Sequence, residues 1–211
     1  HARAQILYYI AENLSARAEE FAARLKDMTG KNGAEEVEAA IQRLFTYAAW
    51  ADKYEGAVKP VPMRGVALAM NEPVGVIGII CPDEAPLLGI ISLLAPAVAM
   101  GNTTVLIPSE AFPLAATDFY QVLETSDLPG GVVNILTGNA AELGSWLASH
   151  LDVNAVDLEG TSNAAELEIL AAENLKRVIR PGSYSRQTAT GSLQHILDFM
   201  ELKTVWHPKG D

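Results

Sequence analysis

The sequence predicts an α/β fold, a doubly wound parallel sheet preceded by helices and closed by one further strand. Three observations carry that expectation. From Pro73 onward, short continuous apolar runs alternate with helical segments, the order expected of a sheet wound with helices on both faces. Those runs are apolar at consecutive positions, as strands covered on both faces must be. Before Pro73, apolar residues instead recur at helical spacing.

Taken in order, Ile6, Leu7, Ile10, Leu14, Phe21 and Leu25 form one helical stripe starting near Ala2, and "MTGKNG" at 28–33 supplies a glycine stop and a restart. Val37, Ile41, Leu44, Phe45 and Ala48 form a second stripe, so two long amphipathic helices are expected up to about Tyr54. Pro60, Pro62 and Gly65 punctuate the chain before "MRGVALAM" at 63–70, which reads as an exposed or edge strand. The alternating part then runs strand "VGVIGIIC", helix "PLLGIISLLAPAVAMG", strand "TTVLI", helix "PLAATDFYQVLETS" and strand "VVNIL". It continues with helix "AAELGSWLASH", strand "AVDL", helix "SNAAELEILAAEN" and strand "LKRVI". "RPGSYSRQTAT" at 180–190 is polar and turn-rich, and a short helix "GSLQHILDFM" with a last strand "ELKTVWH" closes the chain.

The bulk composition narrows the function classes. A chain of 211 residues, 49% hydrophobic and 19% charged, can bury a sizeable core. A single cysteine leaves no internal disulfide framework and is expected of a reducing, cytoplasmic setting. No run of about 18 apolar residues is uninterrupted, so no membrane partner is expected. The stretch Leu87–Met100, broken by Gly89, Ser92 and Pro96, reads as a buried helix. A net charge of −11 argues against a nucleic-acid partner, since phosphate neutralisation needs clustered Lys and Arg. The start at His1, inside a helical pattern and without a methionine, is expected of a piece of a longer polypeptide.

Few residues offer chemistry. Cys81 lies at a strand end just before a helix, where the dipole would lower a thiol pKa, but Asp83 and Glu84 follow at once and oppose it. A free cysteine in such an apolar run reads as packing. Gly75 and Gly78 lack the G-x-G-x-x-G spacing of a dinucleotide fingerprint. "EGTSNAAE" at 159–166 is better placed, because a strand ends at Leu158 and a helix begins after Thr161 or Ser162. Hydroxyls and N–H groups there could meet a phosphate, or the hydroxyl could simply cap the helix. The four histidines share no metal-ligand spacing. Trp50, Trp146 and Trp206 sit in amphipathic patterns and read as packing.

A family resemblance emerges from four longer stretches. "EPVGVIGIICPDEAPLL", "LAPAVAMGNTTVLIPSEAFPLAA", "LPGGVVNILTG" and "LASHLDVNAVDLEGTS" resemble, in order and nearly in spacing, the Rossmann-like cofactor domain of NAD(P)-dependent aldehyde dehydrogenases. The helices before them, including "ADKYEG", look like that family's N-terminal helices, and the resemblance covers about residues 2 to 179. "ELKTVWH" looks like the family's C-terminal oligomerisation strand and is expected beside Met63–Met70. The resemblance implies four parts. Residues 1–71 form the N-terminal helical pair and bridging strand, and 72–180 the Rossmann-like cofactor-type domain. A linker and short helix occupy 181–200, and the oligomerisation strand 201–211.

The departures point away from chemistry. Where the family carries Pro-Trp-Asn-Phe-Pro, this chain has Pro82-Asp83-Glu84-Ala85-Pro86, so Glu84 stands where an asparagine would donate to the oxyanion. Ile107 stands where a lysine would hold the adenosine ribose, whereas Glu110 survives at the ribose-binding carboxylate. The family's Gly-Ser-Thr-x-x-Gly helix start reads Gly160-Thr161-Ser162-Asn163-Ala164-Ala165, preceded by Glu159. Cys81 matches the residue before the oxyanion motif, not the nucleophile. The Pro181 region stands where the general-base glutamate should follow "LKRVI". About 200 residues of catalytic domain would be replaced by a short linker.

The pattern thus resembles the truncated second module of two-module, family-sixteen aldehyde dehydrogenases. It implies a pseudoenzyme with a structural, oligomerisation or interdomain role and no catalytic residue of its own. The partner would be a second copy, or a full dehydrogenase module of the same chain. No metal and no cofactor are expected. The alternative is a residual NAD(H)-binding regulatory module in which Glu110, Thr161 and Ser162 hold adenosine and phosphate.

Overall fold

The computed structural model describes residues 1–54, 56–182 and 193–208. The apolar stripes of the first fifty residues build three helices: α1 (Ala2–Ala16), α2 (Ala18–Thr29) and α3 (Gly33–Trp50). Two had been expected. The first stripe breaks at Arg17, whose backbone leaves the helical region at φ −109 and ψ 16. Its guanidinium forks onto Glu20 at 2.9 and 2.6 Å, and lies 5.2 Å from the Phe21 ring centroid. The break lets α1 bury Leu7, Ile10 and Leu14 while α2 buries Phe21 and Leu25. Gly30 ends α2 in the left-handed region at φ 71, and the Asn32 side chain caps α3 by accepting from Ala34 N at 3.2 Å.

The strands of the parallel sheet are β3 (Val76–Ile80), β4 (Thr103–Ile107), β5 (Val133–Ile135), β6 (Ala155–Asp157) and β7 (Arg177–Ile179). They follow β1 (Ala57–Lys59) and β2 (Gly65–Pro73), and lie in the order β5-β4-β3-β6-β7. The helices between them are α4 (Pro86–Ala99), α5 (Leu114–Glu124), α6 (Ala140–Ser149) and α7 (Ala164–Ala171), the last followed by a 3-10 turn at Ala172–Asn174. Alternation along the strands divides the interior in two. Ile77, Ile79 and Leu106 join the larger core with α1, α3, α4 and α5, whereas Ile80 and Ile107 join a smaller core with Leu147 of α6 and Leu167 of α7. That two-sided burial is why the runs are apolar at every position.

The all-apolar stretch after Pro86 is the buried helix α4, in which every residue except Leu88 is buried. Among the described residues no helix is long and apolar enough to cross a membrane. Ala85 offers α4 no side-chain cap. Instead Glu36, reaching from α3, accepts from Leu87 N at 2.8 Å and Leu88 N at 3.1 Å. A carboxylate on two free N–H groups at the positive end of a helix is favourable on both counts.

The chain closes with α8 (Leu193–Asp198) and β8 (Met200–Pro208). β8 pairs with β2 antiparallel over nine residues, from Gly65↔Pro208 to Pro73↔Met200, beside the segment expected. β1, which the sequence reading did not anticipate, adds to the far side of β2 and gives the order β1-β2-β8. Ala57, Val58 and Lys59 are all exposed, so no buried apolar run marks the strand. Polar side chains of the sheet domain anchor the root of β8. Arg177 donates to Asp198 O and Met200 O, both at 2.7 Å, and Asn102 Nδ2 donates to Phe199 O at 2.8 Å. Most of the turn-rich stretch at 180–190 lies outside the described residues.

Candidate functional site

The chain runs β3→β4→β5 toward one edge of the sheet and then returns to lay β6 and β7 on the other side of β3. This reversal puts a topological switch point at the carboxyl ends of β3 and β6, where open α/β sheets bind ligands. Cys81, Glu84, Glu110, Thr161 and Ser162 lie in the loops that follow β3, β4 and β6.

Cys81 follows β3 and is buried, with its N–H donating to Ile107 O at 2.9 Å. Burial pushes its thiol well above the ordinary range, and the charge of nearby Asp157 pushes it further. A thiol held protonated is not a nucleophile at neutral pH, in line with the reading of Cys81 as packing. The carboxylate of Asp157, itself buried, accepts from Glu159 N at 3.1 Å.

The two loops of the switch point are closed on each other. Gly160 N donates to Ile80 O at 2.8 Å. A Cβ on Gly160 would stand 2.0 Å from Cys81 O and 2.7 Å from Pro82 N, so only glycine permits this approach. On the β3 loop, Asp83 accepts from Ser109 Oγ at 2.5 Å and ties that loop to the one after β4. Glu84 is exposed.

Glu110 follows β4, where it accepts from Asn139 Nδ2 at 3.1 and 3.2 Å and from Ala140 N at 3.0 Å. It therefore acts, with Asn139, at the N-terminus of α6. Thr161 follows β6, and its hydroxyl donates to Asn163 Oδ1 at 2.5 Å. Helix α7 starts at Ala164, slightly later than expected, with Asn163 as its N-cap residue. Ser162 is exposed. Since β3 separates β4 from β6, the loops that carry Glu110 and the Thr161–Ser162 turn leave strands two spacings, about 10 Å, apart. Glu159 accepts from Gly182 N at 2.8 Å, and Ile107 is buried in the smaller core.

Several features escaped the sequence reading. Glu36 as a cap of α4 has no local signature beyond the missing cap at Ala85. Trp146 and Trp206 are not packed as expected: they are 70% and 56% exposed. Trp146 borders an apolar groove of about 300 Å³ between α6 and the sheet, with Val105, Leu136 and Leu143 among its walls. Trp50 does pack against the larger core. His195 is buried, with Nδ1 3.3 Å from Tyr47 Oη. Among the described residues no group of three His, Cys, Asp or Glu side chains is placed to hold a metal ion.

Proteins similar to this chain in sequence and fold include aldehyde dehydrogenases. The family profile described as "Aldehyde dehydrogenase family" matches residues 1–180. Human retinaldehyde dehydrogenase 3 is 37% identical over 145 residues, which are 68% of this chain and 28% of that protein. Omega-crystallin of Enteroctopus dofleini is 35% identical over 181 residues, 83% of this chain and 36% of that one. Among solved structures, the betaine aldehyde dehydrogenase of Staphylococcus aureus in complex with NAD⁺ superposes with a TM-score of 0.82 at 27% identity, over 86% of this chain and 37% of its own. An NAD-dependent aldehyde dehydrogenase from Sinorhizobium meliloti gives 0.80 at 28% identity, again over 86% and 37%. The chain spans about a third of the length of these relatives. By sequence and by fold, it belongs to the aldehyde dehydrogenase family.

Proposed function

We propose that this chain is a non-catalytic, aldehyde-dehydrogenase-like module whose role is structural. It forms a subunit or interdomain interface within a longer NAD-dependent aldehyde dehydrogenase chain. In this reading it corresponds to the shortened second module of a two-module, family-sixteen enzyme, and any oxidation of aldehydes belongs to the other module. The four-part division at residues 71, 180 and 200 goes with that proposal, as does a cytoplasmic setting.

One observation carries the reading: four polar groups at the switch-point edge, those of Glu110, Asp83, Glu159 and Thr161, are turned to protein rather than toward a ligand. Glu110 caps α6, Asp83 ties two loops, Glu159 holds Gly182, and the Thr161 hydroxyl is engaged by Asn163. An incoming diphosphate would meet carboxylates, and carboxylates only accept hydrogen bonds. Ile107, at the position of the family's ribose lysine, removes a charged donor worth about 1.5–3 kcal/mol, roughly a 10- to 150-fold loss of affinity. Cys81, the single cysteine, is a buried thiol.

Calorimetric titration with NAD⁺ and NADH at low salt tests this. No saturable heat at about 1 mM nucleotide is expected. Binding tighter than about 100 µM, roughly 5.5 kcal/mol, would overturn it in favour of an NAD(H)-binding regulatory module at Glu110, Thr161 and Ser162. Measurable aldehyde turnover by the pure chain would overturn the non-catalytic reading itself. The NAD⁺-bound structural relative is what keeps the regulatory reading second.

A further inference from the structure

Helix α6 covers its side of the parallel sheet only in part. A Cβ on Gly78 of β3 would stand 2.6 Å from Leu147 Cγ, so α6 sits deep over β3 and leaves the groove of about 300 Å³ beside it. Alternation along β3 and β4 brings Val76, Val105 and Ile107 to the floor of that groove. Its wall is a single stripe of α6, in which Leu143, Trp146, Leu147 and His150 recur at helical spacing. A stripe of that spacing normally faces cover. Among the described residues this one is covered only at its base, and Trp146 and Leu136 on the rim stay 70% and 48% exposed.

One end of the groove is polar and firmly held. α6 ends at Ser149, and His150 and Asp152 line the groove just beyond it. The turn that carries them is clamped by Lys176, a buried side chain. Its ammonium donates to His150 O at 2.6 Å, Val153 O at 3.1 Å and Asn174 Oδ1 at 2.6 Å. His150 Nδ1 accepts from Asp152 N at 3.2 Å, which leaves the proton of a neutral ring on Nε2. The Asp152 carboxylate itself has no hydrogen bond and no ion pair among the described residues.

We propose that this groove binds a small organic ammonium, an apolar body of about ten to fifteen non-hydrogen atoms with its cationic head at Asp152. A concave site with apolar walls and a few polar groups gathered at one end is the usual form of a small-molecule site. Charge selects the head group. The Asp152 carboxylate is unspent, whereas Lys176, the cation of the same turn, is already engaged by three oxygens. The exposed Trp146 ring offers a face to a cation, and a net charge of −11 on the chain disfavours an anion. The groove is distinct from the switch point, since none of Cys81, Glu84, Glu110, Thr161 and Ser162 lines it. The structural role proposed above neither requires nor excludes this site.

The test titrates the 211-residue chain with three probes that share one body: phenylbutylamine, phenylbutanol and phenylbutyrate. The indole N–H resonance of Trp146, assigned with Trp146→Phe, reports binding. Trp50 and Trp206 lie outside the groove and serve as internal controls. The amine should saturate with a Kd of about 0.1–1 mM, the range for a ligand of about eleven non-hydrogen atoms. The alcohol should bind about three- to fivefold more weakly and the carboxylate about tenfold more weakly. Asp152→Asn should weaken the amine about three- to fivefold and leave the alcohol unchanged, which also shows that the groove is intact. No saturation by about 10 mM amine, equal affinity for all three probes, or an amine indifferent to Asp152→Asn overturns the proposal. Displacement of the amine by about 1 mM NAD⁺ overturns it too, by making the groove part of a nucleotide site. The two claims fail separately: an amine that does not bind leaves the scaffold reading, whereas NAD binding without displacement sinks the scaffold reading and leaves this site.

Discussion

Replacing Gly160 by alanine should cost far more than its size suggests. Gly160 does not lie in the left-handed region, so alanine is allowed there by its own backbone. The obstacle is the neighbouring loop. The new Cβ would stand 2.0 Å from Cys81 O, 2.2 Å from Cys81 C and 2.7 Å from Pro82 N, all backbone atoms that no rotamer change can move. The loops must part by roughly 1 Å, at an overpacking cost of about 1–3 kcal/mol. Weakening the Gly160 N–Ile80 O hydrogen bond adds about 1 kcal/mol. A total of about 2–4 kcal/mol corresponds to a fall in Tm of roughly 5–15 °C for a chain of this length. Gly130→Ala is the internal control: nothing lies within 4 Å of its new Cβ and its φ is not positive, so it should be neutral or stabilise by up to about 1 kcal/mol. Differential scanning fluorimetry of both variants decides the matter. A Gly160→Ala melting point within about 1 °C of Gly130→Ala would refute the closed switch point.

Two further outcomes follow from the same structure. Cys81 should resist alkylation at pH 8 in the native chain and react only in denaturant. Its folded pKa is raised, so above the ordinary thiol range the unfolded chain loses that proton first, and stability should decline with pH there by up to about 1.4 kcal/mol per unit. An alkylation rate equal to that of the unfolded chain would count against its burial. Arg177→Ala removes donors to Asp198 O and Met200 O at the root of β8, a loss of about 2–4 kcal/mol for two charged hydrogen bonds. Limited proteolysis between Phe199 and Leu202 should accelerate at least tenfold, and an unchanged rate would show that β8 is held by its pairing with β2 alone.

Element types were legible because periodicity reports on burial. The consecutive apolar positions in "VIGII" and "TTVLI" required cover on both faces and found it in two cores. The pairing of "ELKTVWH" with the strand after Met63 was also legible, although from a family resemblance rather than from the residues. The break at Arg17 was not. Ile6 to Leu25 keep one helical phase whether or not the helix breaks, and at the break the Arg17 guanidinium meets Glu20 and the Phe21 ring. β1 is exposed throughout and carries no apolar run, and the exposure of Trp146 and Trp206 could not be read from stripes that elsewhere mark the core.

The candidate site divides along the same line. The sequence by itself determined which chemical groups reach the carboxyl edge of the sheet: one cysteine, a row of carboxylates, two hydroxyls, and an isoleucine in place of a lysine. Only the tertiary structure decided what those groups do there. Glu110 caps α6, Thr161 turns to Asn163, and Gly160 admits no side chain, because strands and loops far apart in sequence arrive within hydrogen-bonding distance. Glu36 capping α4 from a helix some fifty residues earlier is the same lesson. Periodicity depends on near neighbours along the chain, whereas the fate of a polar group depends on whichever partner the fold brings within about 3 Å.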